Sequence, residues 1–171
     1  MITTKDMYYR KAKSISYDKN KRDKAKTVEY IVIHYTSNEG DTAKNNVDYF
    51  ATGNPYEAGA HFFVDQKGLI GRSIPMENVA WAVATNKGRI NNYNSVSIEL
   101  CDTASKDPSD EMVKSVVELI KYICKYCPKV KGIARHYDVT GKLCPKRMVD
   151  DVKWGEFLFR IAYSLMDIDK K

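Results

Sequence analysis

Residues 28–35 read Val-Glu-Tyr-Ile-Val-Ile-His-Tyr, a short run of mainly apolar and β-branched residues that closes on His34 and Tyr35. A run of this length and composition predicts a strand buried at the centre of a sheet. Residues 95–101 have the same character, and residues 131–136 form a shorter run that again ends in a histidine. The chain therefore predicts a sheet whose buried strands carry polar side chains where they end.

Helical segments alternate with these strands. The clearest one begins near Pro108 and Ser109 and repeats apolar residues at the spacing of one helix face. That face consists of Met112, Val113, Val116, Leu119, Ile120 and Ile123. Residues 42–50 and residues 149–166 are also predicted to be helical, the latter with an apolar face toward the core.

A hairpin precedes the polar loop that leads into residues 95–101. Residues 60–64 and 69–74 are strand-like, and the turn between them includes Gly68, which can adopt positive φ. The alternation of strands and helices favours an α/β fold, a single domain with a central mixed β-sheet flanked by helices. A chain of 171 residues is long enough for one such domain and its hydrophobic core.

The positive charge of the chain is concentrated at its beginning. Residues 1–26 contain nine Lys or Arg and three Asp, which accounts for the whole net charge of +6. We expect a basic N-terminal lead-in at residues 1–26 and the folded domain at residues 27–171. Such a segment favours contact with a polyanion, either nucleic acid or an anionic wall polymer. The alternative interpretation of the same composition is a solvated, partly mobile segment without a partner. Nucleic acid is the weaker candidate, because few aromatic residues interleave with these charges.

The sequence contains no apolar run near the ~20 residues needed to cross a bilayer, so no membrane span is predicted. Residues 1–26 also lack the apolar stretch of a secretory signal. We therefore expect synthesis in the cytoplasm, with another factor releasing the protein to any external substrate. Four cysteines, at positions 101, 124, 127 and 144, are expected to be reduced thiols, because a domain of this size does not need disulfides.

Two of the three histidines, His34 and His136, close predicted strands. Cys144 lies eight residues beyond His136, in a loop that contains Gly141 and can bring the thiol back to the imidazole. Two imidazoles and one thiolate suit Zn²⁺, and three protein ligands leave a fourth position for water, whose pKa falls to about 7 on zinc. The spacing by itself also fits histidines that are merely packed and hydrogen-bonded at strand ends.

Four segments resemble the type 2 N-acetylmuramoyl-L-alanine amidases, a family that includes phage endolysin amidases and the peptidoglycan recognition proteins. They read YIVIHYTSN (residues 30–38), AHFFVDQKGLIGR (60–72), NNYNSVSIELC (91–101) and ARHYDVTGKLCPKR (134–147). The four segments in this order are specific, whereas any one of them alone is a weak signal.

The resemblance implies a zinc metalloamidase that hydrolyses the amide bond between N-acetylmuramic acid and L-alanine in bacterial peptidoglycan, as endolysins and autolysins do. It implies that His34, His136 and Cys144 bind the zinc, and that Glu99 and Lys142 are catalytic. Residues 27–171 would then be the catalytic domain, peptidoglycan its partner and the cell wall its place of action.

Both catalytic candidates also have a chemical reason. A carboxylate beside the metal can take a proton from water and return it to the leaving amine. Glu99 stands in an otherwise apolar strand, where a carboxyl group is costly to bury. Lys142 can stabilise an oxyanion or bind a substrate carboxylate. An outward-facing strand residue and a solvated loop lysine are the alternative interpretations.

The chain departs from the family pattern at two positions. Ala60 stands where one branch has a tyrosine that assists catalysis, and Ala82 stands where many relatives have a histidine after the tryptophan. These departures put more weight on Glu99 and predict a partly different substrate groove. We interpret His61 as a structural or groove-lining histidine rather than a fourth ligand, since a catalytic zinc keeps one site open. Trp81 either stacks on a sugar or packs in the core.

Cys124 and Cys127 have the spacing of a redox pair or of half a zinc site. They lie at the end of a predicted helix with no second pair, so we interpret them as buried structural thiols. A non-catalytic peptidoglycan-binding module is the alternative function for the whole domain. Non-catalytic members of the family typically lack the cysteine ligand, so Cys144 favours the enzyme.

Overall fold

The computed structural model describes residues 2–168, with side chains up to Met166. Met1, at the start of the expected lead-in, and residues 169–171, at the end of the expected domain, lie outside the described residues. The strands are β1 (Tyr8–Tyr9), β2 (Tyr17–Asp18), β3 (Tyr30–Tyr35), β4 (Phe62–Val64), β5 (Ile70–Arg72), β6 (Val79–Ala80), β7 (Ser95–Leu100) and β8 (Gly132–Arg135). The α-helices are α1 (Lys24–Thr27), α2 (Ala43–Thr52), α3 (Asp110–Tyr126), α4 (His136–Thr140) and α5 (Asp151–Ile168). Short 3-10 helices occur at Thr4–Asp6, Ser14–Ser16, Asn92–Asn94 and Lys146–Val149.

Within residues 2–168, six strands form one mixed sheet in the order β1-β5-β4-β7-β3-β8. β4 and β5 are an antiparallel hairpin, while the other neighbours are parallel. β2 and β6 pair separately as an antiparallel ribbon. Helices pack against the sheet, so the predicted α/β fold with a central mixed sheet in a single domain is confirmed.

Strand β3 lies between β7 and β8 and is parallel to both. Its residues from Tyr30 to His34 are all buried, which confirms the prediction of a buried central strand. Neighbouring parallel strands end at the same edge of a sheet. His34 therefore lies opposite Glu99 of β7, and His136 directly follows β8 at the same edge. Strand pairing brings together side chains that are far apart in the sequence.

The two faces of the sheet are covered differently. One face carries Ile31, Ile33, Ile98 and Leu100, which pack with the apolar faces of α3 and α5 in the main core. A smaller apolar cluster on the other face joins α2 to the sheet and consists of Ala43, Val47, Ala60, Phe63 and Cys101. Because side chains alternate along a strand, His34 and Glu99 project to this second face.

Several predicted boundaries are confirmed or shift by a few residues. Ser109 caps α3 by accepting a hydrogen bond from the Met112 N–H at 3.0 Å, and the hairpin turn has Gly68 at φ +82°. The predicted strand at residues 131–136 ends one residue early, at Arg135. Its backbone N–H donates to the Asp138 carboxylate, which starts α4 at His136. The last helix begins at Asp151 rather than residue 149, because a 3-10 turn precedes it.

The basic N-terminal segment packs on the domain. β1 extends the sheet beside β5, and Met7, Ala12 and Tyr17 are buried. The guanidinium of Arg22 donates to the carbonyl oxygens of Met76, Asn92, Tyr93 and Ser95 at 2.9–3.2 Å. Residues 2–26 therefore pack on the domain through these side chains, while most of their other side chains are exposed. A domain boundary at residue 26 stays a prediction. No helix among the described residues is long and apolar enough to span a membrane.

Candidate active site

His34, His136 and Cys144 converge at the carboxyl-end edge of the sheet. Their donor atoms all lie within 4.8 Å of one another, and all three residues are buried. The Nδ1 atoms of the two histidines are 3.1 Å apart, and the Cys144 Sγ is 3.9 Å from Nδ1 of His34. The three residues that the sequence predicted as ligands thus form a group that could hold a metal ion.

Local structure explains how Cys144 reaches the two histidines. Helix α4 is a single turn capped by Gly141, whose φ of +77° reverses the chain. Glycine adopts this conformation without the steric cost of a Cβ. The returning segment is held by a 2.8 Å hydrogen bond from the Tyr137 N–H to the Cys144 carbonyl. The predicted loop therefore folds back on the histidine that begins it.

The donor atoms suit a small divalent cation such as Zn²⁺. Two nitrogens at about 2.0–2.1 Å from one tetrahedral zinc lie about 3.3 Å apart, and a nitrogen and a sulfur about 3.5 Å apart. The observed separations of 3.1 Å and 3.9 Å are close to these values. The donor set and the two separations from His34 are therefore compatible with zinc.

Burial shifts the pKa values of all three residues in this cluster. It holds the pKa of His34 well below its usual range, and the nearby His136 and Lys142 add to the effect. It lowers the pKa of His136 to about 4, with Lys142 contributing, while the Val83 backbone opposes the shift. Both imidazoles are therefore neutral and able to bind a cation. Burial, together with Glu99, raises the pKa of the Cys144 thiol to about 12, so a cation would displace a proton from it.

Glu99 lies directly beside the metal-ligand candidates. Its Oε2 atom is buried and has no hydrogen-bond partner within the described residues. Burial raises the pKa of the carboxyl group to about 8; Lys142 opposes this shift, and the carboxylate of Asp41 adds to it. A carboxyl group that exchanges its proton near neutral pH is suited to general acid–base chemistry.

A groove of about 730 Å³ opens over the cluster on the α2 side of the sheet. His34, Glu99, Lys142 and Cys144 are among its lining residues, so four of the five predicted site residues share the groove. Aromatic and polar side chains line the remainder, among them Tyr35, Asn38, Asn45, Tyr49, Phe50 and Trp81. Lys142 is exposed, and its charge acts on the pKa of both histidines and of Glu99.

His61 lies outside the metal-ligand group. Its Nδ1 accepts a 3.1 Å hydrogen bond from the Ser97 N–H, which leaves the proton of the neutral ring on Nε2, 3.1 Å from the Asn78 carbonyl. Burial, with the charge of Arg22, lowers the pKa of His61 to about 3. Both ring nitrogens are engaged with backbone, which supports a structural histidine.

The remaining cysteines are separate from the cluster. All four cysteines are free thiols. Cys127, at the end of α3, is buried as expected, whereas Cys124 is exposed. Only part of the interpretation of this pair as buried thiols therefore holds.

Asp41 is a groove residue that sequence reasoning missed. Its carboxylate accepts 2.6 Å hydrogen bonds from the Asp102 N–H and the Asn46 Nδ2, and the Gly40 N–H donates in return to Asp102 at 2.7 Å. These bonds join the loop after β3 to the turn after β7. Nothing in the sequence pattern marked Asp41, because its importance comes from a contact between distant loops.

Comparison with protein families gives a match over most of the chain. The family model described as N-acetylmuramoyl-L-alanine amidase matches residues 24–147. The N-acetylmuramoyl-L-alanine amidase CwlL of Bacillus licheniformis is 36% identical over 137 residues, which cover 72% of this chain and 38% of CwlL. The amidase CwlA of Bacillus subtilis (strain 168) is 30% identical over 148 residues, covering 84% of this chain and 52% of CwlA. The chain thus spans about half, or less, of the length of these relatives.

Solved structures resemble the fold over nearly their full length. The structure of PlyL superposes with a TM-score of 0.68 at 29% identity, covering 83% of this chain and 88% of PlyL. The catalytic domain of XlyA superposes with a TM-score of 0.66 at 25% identity, covering 91% of this chain and 96% of that domain. The resemblance in fold therefore extends over most of this chain.

Proposed function

The chain belongs to the N-acetylmuramoyl-L-alanine amidase family, and on that basis we propose that it hydrolyses the amide bond between N-acetylmuramic acid and L-alanine in bacterial peptidoglycan, using zinc. The observation that carries the proposal is the convergence of His34, His136 and Cys144 beside the carboxyl group of Glu99 in an open groove. Two neutral imidazoles and a thiol form a donor set that zinc prefers.

Zinc, when bound by these three residues, supplies a Lewis acid that polarises the scissile carbonyl and lowers the pKa of water. Glu99 takes the proton from the attacking water and passes it to the departing amine of L-alanine, which leaves poorly unless protonated. Its raised pKa, about 8 without a cation, falls toward neutrality beside a positive charge. One carboxyl group can then serve as base and as acid.

Lys142 stabilises the negative charge that develops on the carbonyl oxygen. The lysine is exposed and lines the groove together with Glu99 and Cys144. A fixed positive charge aimed at a developing oxyanion favours the transition state over the ground state. Elsewhere in the lining of the groove, Trp81 offers a ring face for a sugar, and Asn38 and Asn45 offer amides for the stem peptide.

The same residues argue against a non-catalytic peptidoglycan-binding module. Such a module needs neither a thiol in the cluster nor a buried carboxyl group without a hydrogen-bond partner. Cys144 and Glu99 carry both features in this chain. Burying the carboxyl group of Glu99 without a hydrogen-bond partner is costly, and a role in the chemistry accounts for that cost.

The test is digestion of purified cell walls, with the zinc content of the protein measured in parallel. We expect one zinc per chain, new amino-terminal alanine in the products, and loss of both zinc and activity for Cys144→Ser. Cys127→Ser is the matched control, because it also removes a buried thiol and is expected to keep both. Equal effects of the two substitutions, or full activity of the metal-free protein, would contradict the mechanism.

A second part of the proposal concerns the basic segment, which we propose contacts anionic wall polymers. Lys11, Lys13, Lys19 and Lys21 are exposed and form no ion pair with a carboxylate within residues 2–168. Contacts of this kind weaken as salt rises. Wall binding by a variant with these four lysines changed to glutamine should be weaker than wild type at low salt and equal to it at high salt. Equal binding at low salt would contradict the contact.

A further inference from the structure

Arg135 is a buried cation next to the proposed metal site. It is the last residue of β8 and directly precedes His136, and its side chain is only 8% exposed. A buried charge is costly unless its hydrogen bonds are satisfied. The hydrogen-bond partners of Arg135 therefore indicate why a charge is buried at this position.

All three nitrogens of the guanidinium are engaged by the segment that follows it. Nε and Nη2 donate to the carboxylate of Asp138 at 2.7–3.2 Å. Nη1 lies within hydrogen-bond distance of the carbonyl oxygens of Met148 and Val149 and of the Asp151 carboxylate, at 2.9–3.2 Å.

Two aromatic rings enclose the same guanidinium. The rings of Tyr137 and Trp154 lie with their centroids 5.3 Å and 5.5 Å from its central carbon. Stacking of this kind suits the flat, delocalised charge of arginine. The side chain is therefore held in one orientation by rings as well as by hydrogen bonds.

These partners lie at the two ends of a single stretch of chain. Asp138 is two residues after His136, and Met148 and Val149 are four and five residues after Cys144. Arg135 thus closes residues 136–149 into a loop, and this loop contains two of the three ligand candidates. Inside it, the backbone bond from Tyr137 to Cys144 fixes the fold-back.

We propose that Arg135 is a positioning residue that fixes the distance between His136 and Cys144 and thereby sets the affinity of the site for zinc; this inference rests on the proposed function. Arginine suits the task because its planar fork of donors engages a carboxylate and backbone carbonyls at once. Lysine has a single ammonium group and cannot bridge the two ends in the same way.

The test compares Arg135→Lys with Arg160→Lys in two measurements. Zinc affinity is measured by competition with a chromophoric chelator, and stability by unfolding of the metal-free protein. Arg160 is the matched control: it donates to the Pro108 carbonyl and the Asp110 carboxylate at 2.7 Å, joining α5 to the start of α3 away from the cluster. We expect Arg135→Lys to weaken zinc binding about 10- to 100-fold. We expect Arg160→Lys to lower stability with zinc affinity within about twofold of wild type.

A second variant keeps the test decisive should Arg135→Lys fail to fold. Asp138→Asn retains Arg135 but removes the charge of its bidentate partner, and should weaken zinc binding several-fold. Zinc affinity equal to wild type in the folded variants would overturn the positioning role and leave the proposed function intact. Absence of zinc binding by the wild-type chain would overturn both.

Discussion

Replacing Glu99 by glutamine removes an ionisable group while nearly preserving the size and shape of the side chain. We expect Glu99→Gln to keep the fold, the groove and the metal cluster, because Glu99 is not one of the converging donor residues. Turnover on cell-wall fragments should fall about 10²- to 10⁴-fold, the usual contribution of general acid–base catalysis. Zinc content should stay close to that of wild type.

The same substitution has a second, independent consequence for stability. Folding raises the pKa of Glu99 from its ordinary 4.5 to about 8, so between these values the folded metal-free protein holds a proton that the unfolded chain has released. The protonated Glu99 carboxyl group contributes fully to the free energy of unfolding below pH 4.5. This contribution is lost as pH rises toward 8, at about 1.4 kcal/mol per pH unit. The histidines, whose pKa values are lowered by folding, add the same slope to wild type and to Glu99→Gln, so their contribution cancels when the two proteins are compared.

Between pH 6.5 and 8 the metal-free wild type should therefore lose about 2 kcal/mol of unfolding free energy relative to Glu99→Gln. Urea unfolding followed by circular dichroism, with a chelator present, measures the difference. Glu29→Gln is the control, because Lys131 lowers the pKa of the half-buried Glu29 carboxyl group and removing that group should leave the slope unchanged. Parallel curves for wild type and Glu99→Gln would refute the argument that burial shifts Glu99.

Two further predictions concern stability alone. Ser109→Ala should lower the unfolding free energy by about 1–2 kcal/mol, because it removes the α3 cap and the 2.6 Å hydrogen bond to the Gln66 carbonyl. Ser109→Thr keeps a hydroxyl group and should retain most of the unfolding free energy, as measured by chemical denaturation. His61, whose pKa is lowered from 6.5 to about 3, stabilises the fold above pH 6.5 and loses that contribution as pH falls. The metal-free wild type should thus lose about 2 kcal/mol more than His61→Gln between pH 6.5 and about pH 5, and identical acid limbs would contradict this.

Much of the fold was predictable because its signals are local. The β-branched run that ends at His34, the apolar face of α3 with its cap at Ser109, and the turn at Gly68 depend on neighbouring residues only. The approach of Cys144 to His136 was also predictable, since eight residues and a glycine separate them. The interval from His34 to His136 is 102 residues, and no local pattern determines that contact.

By itself, the sequence determined the type of fold, the approximate extent of the longer strands and helices, and the residue types able to bind a metal. Tertiary structure alone decided that β3 pairs with β7 in the register that sets His34 opposite Glu99, and that the N-terminal segment packs on the domain. It also decided the pKa values, since the burial of Glu99 and Cys144 depends on what covers them. The physical reason is that backbone propensity and hydrophobic periodicity act over a few residues, whereas strand register and desolvation arise only when distant segments pack together.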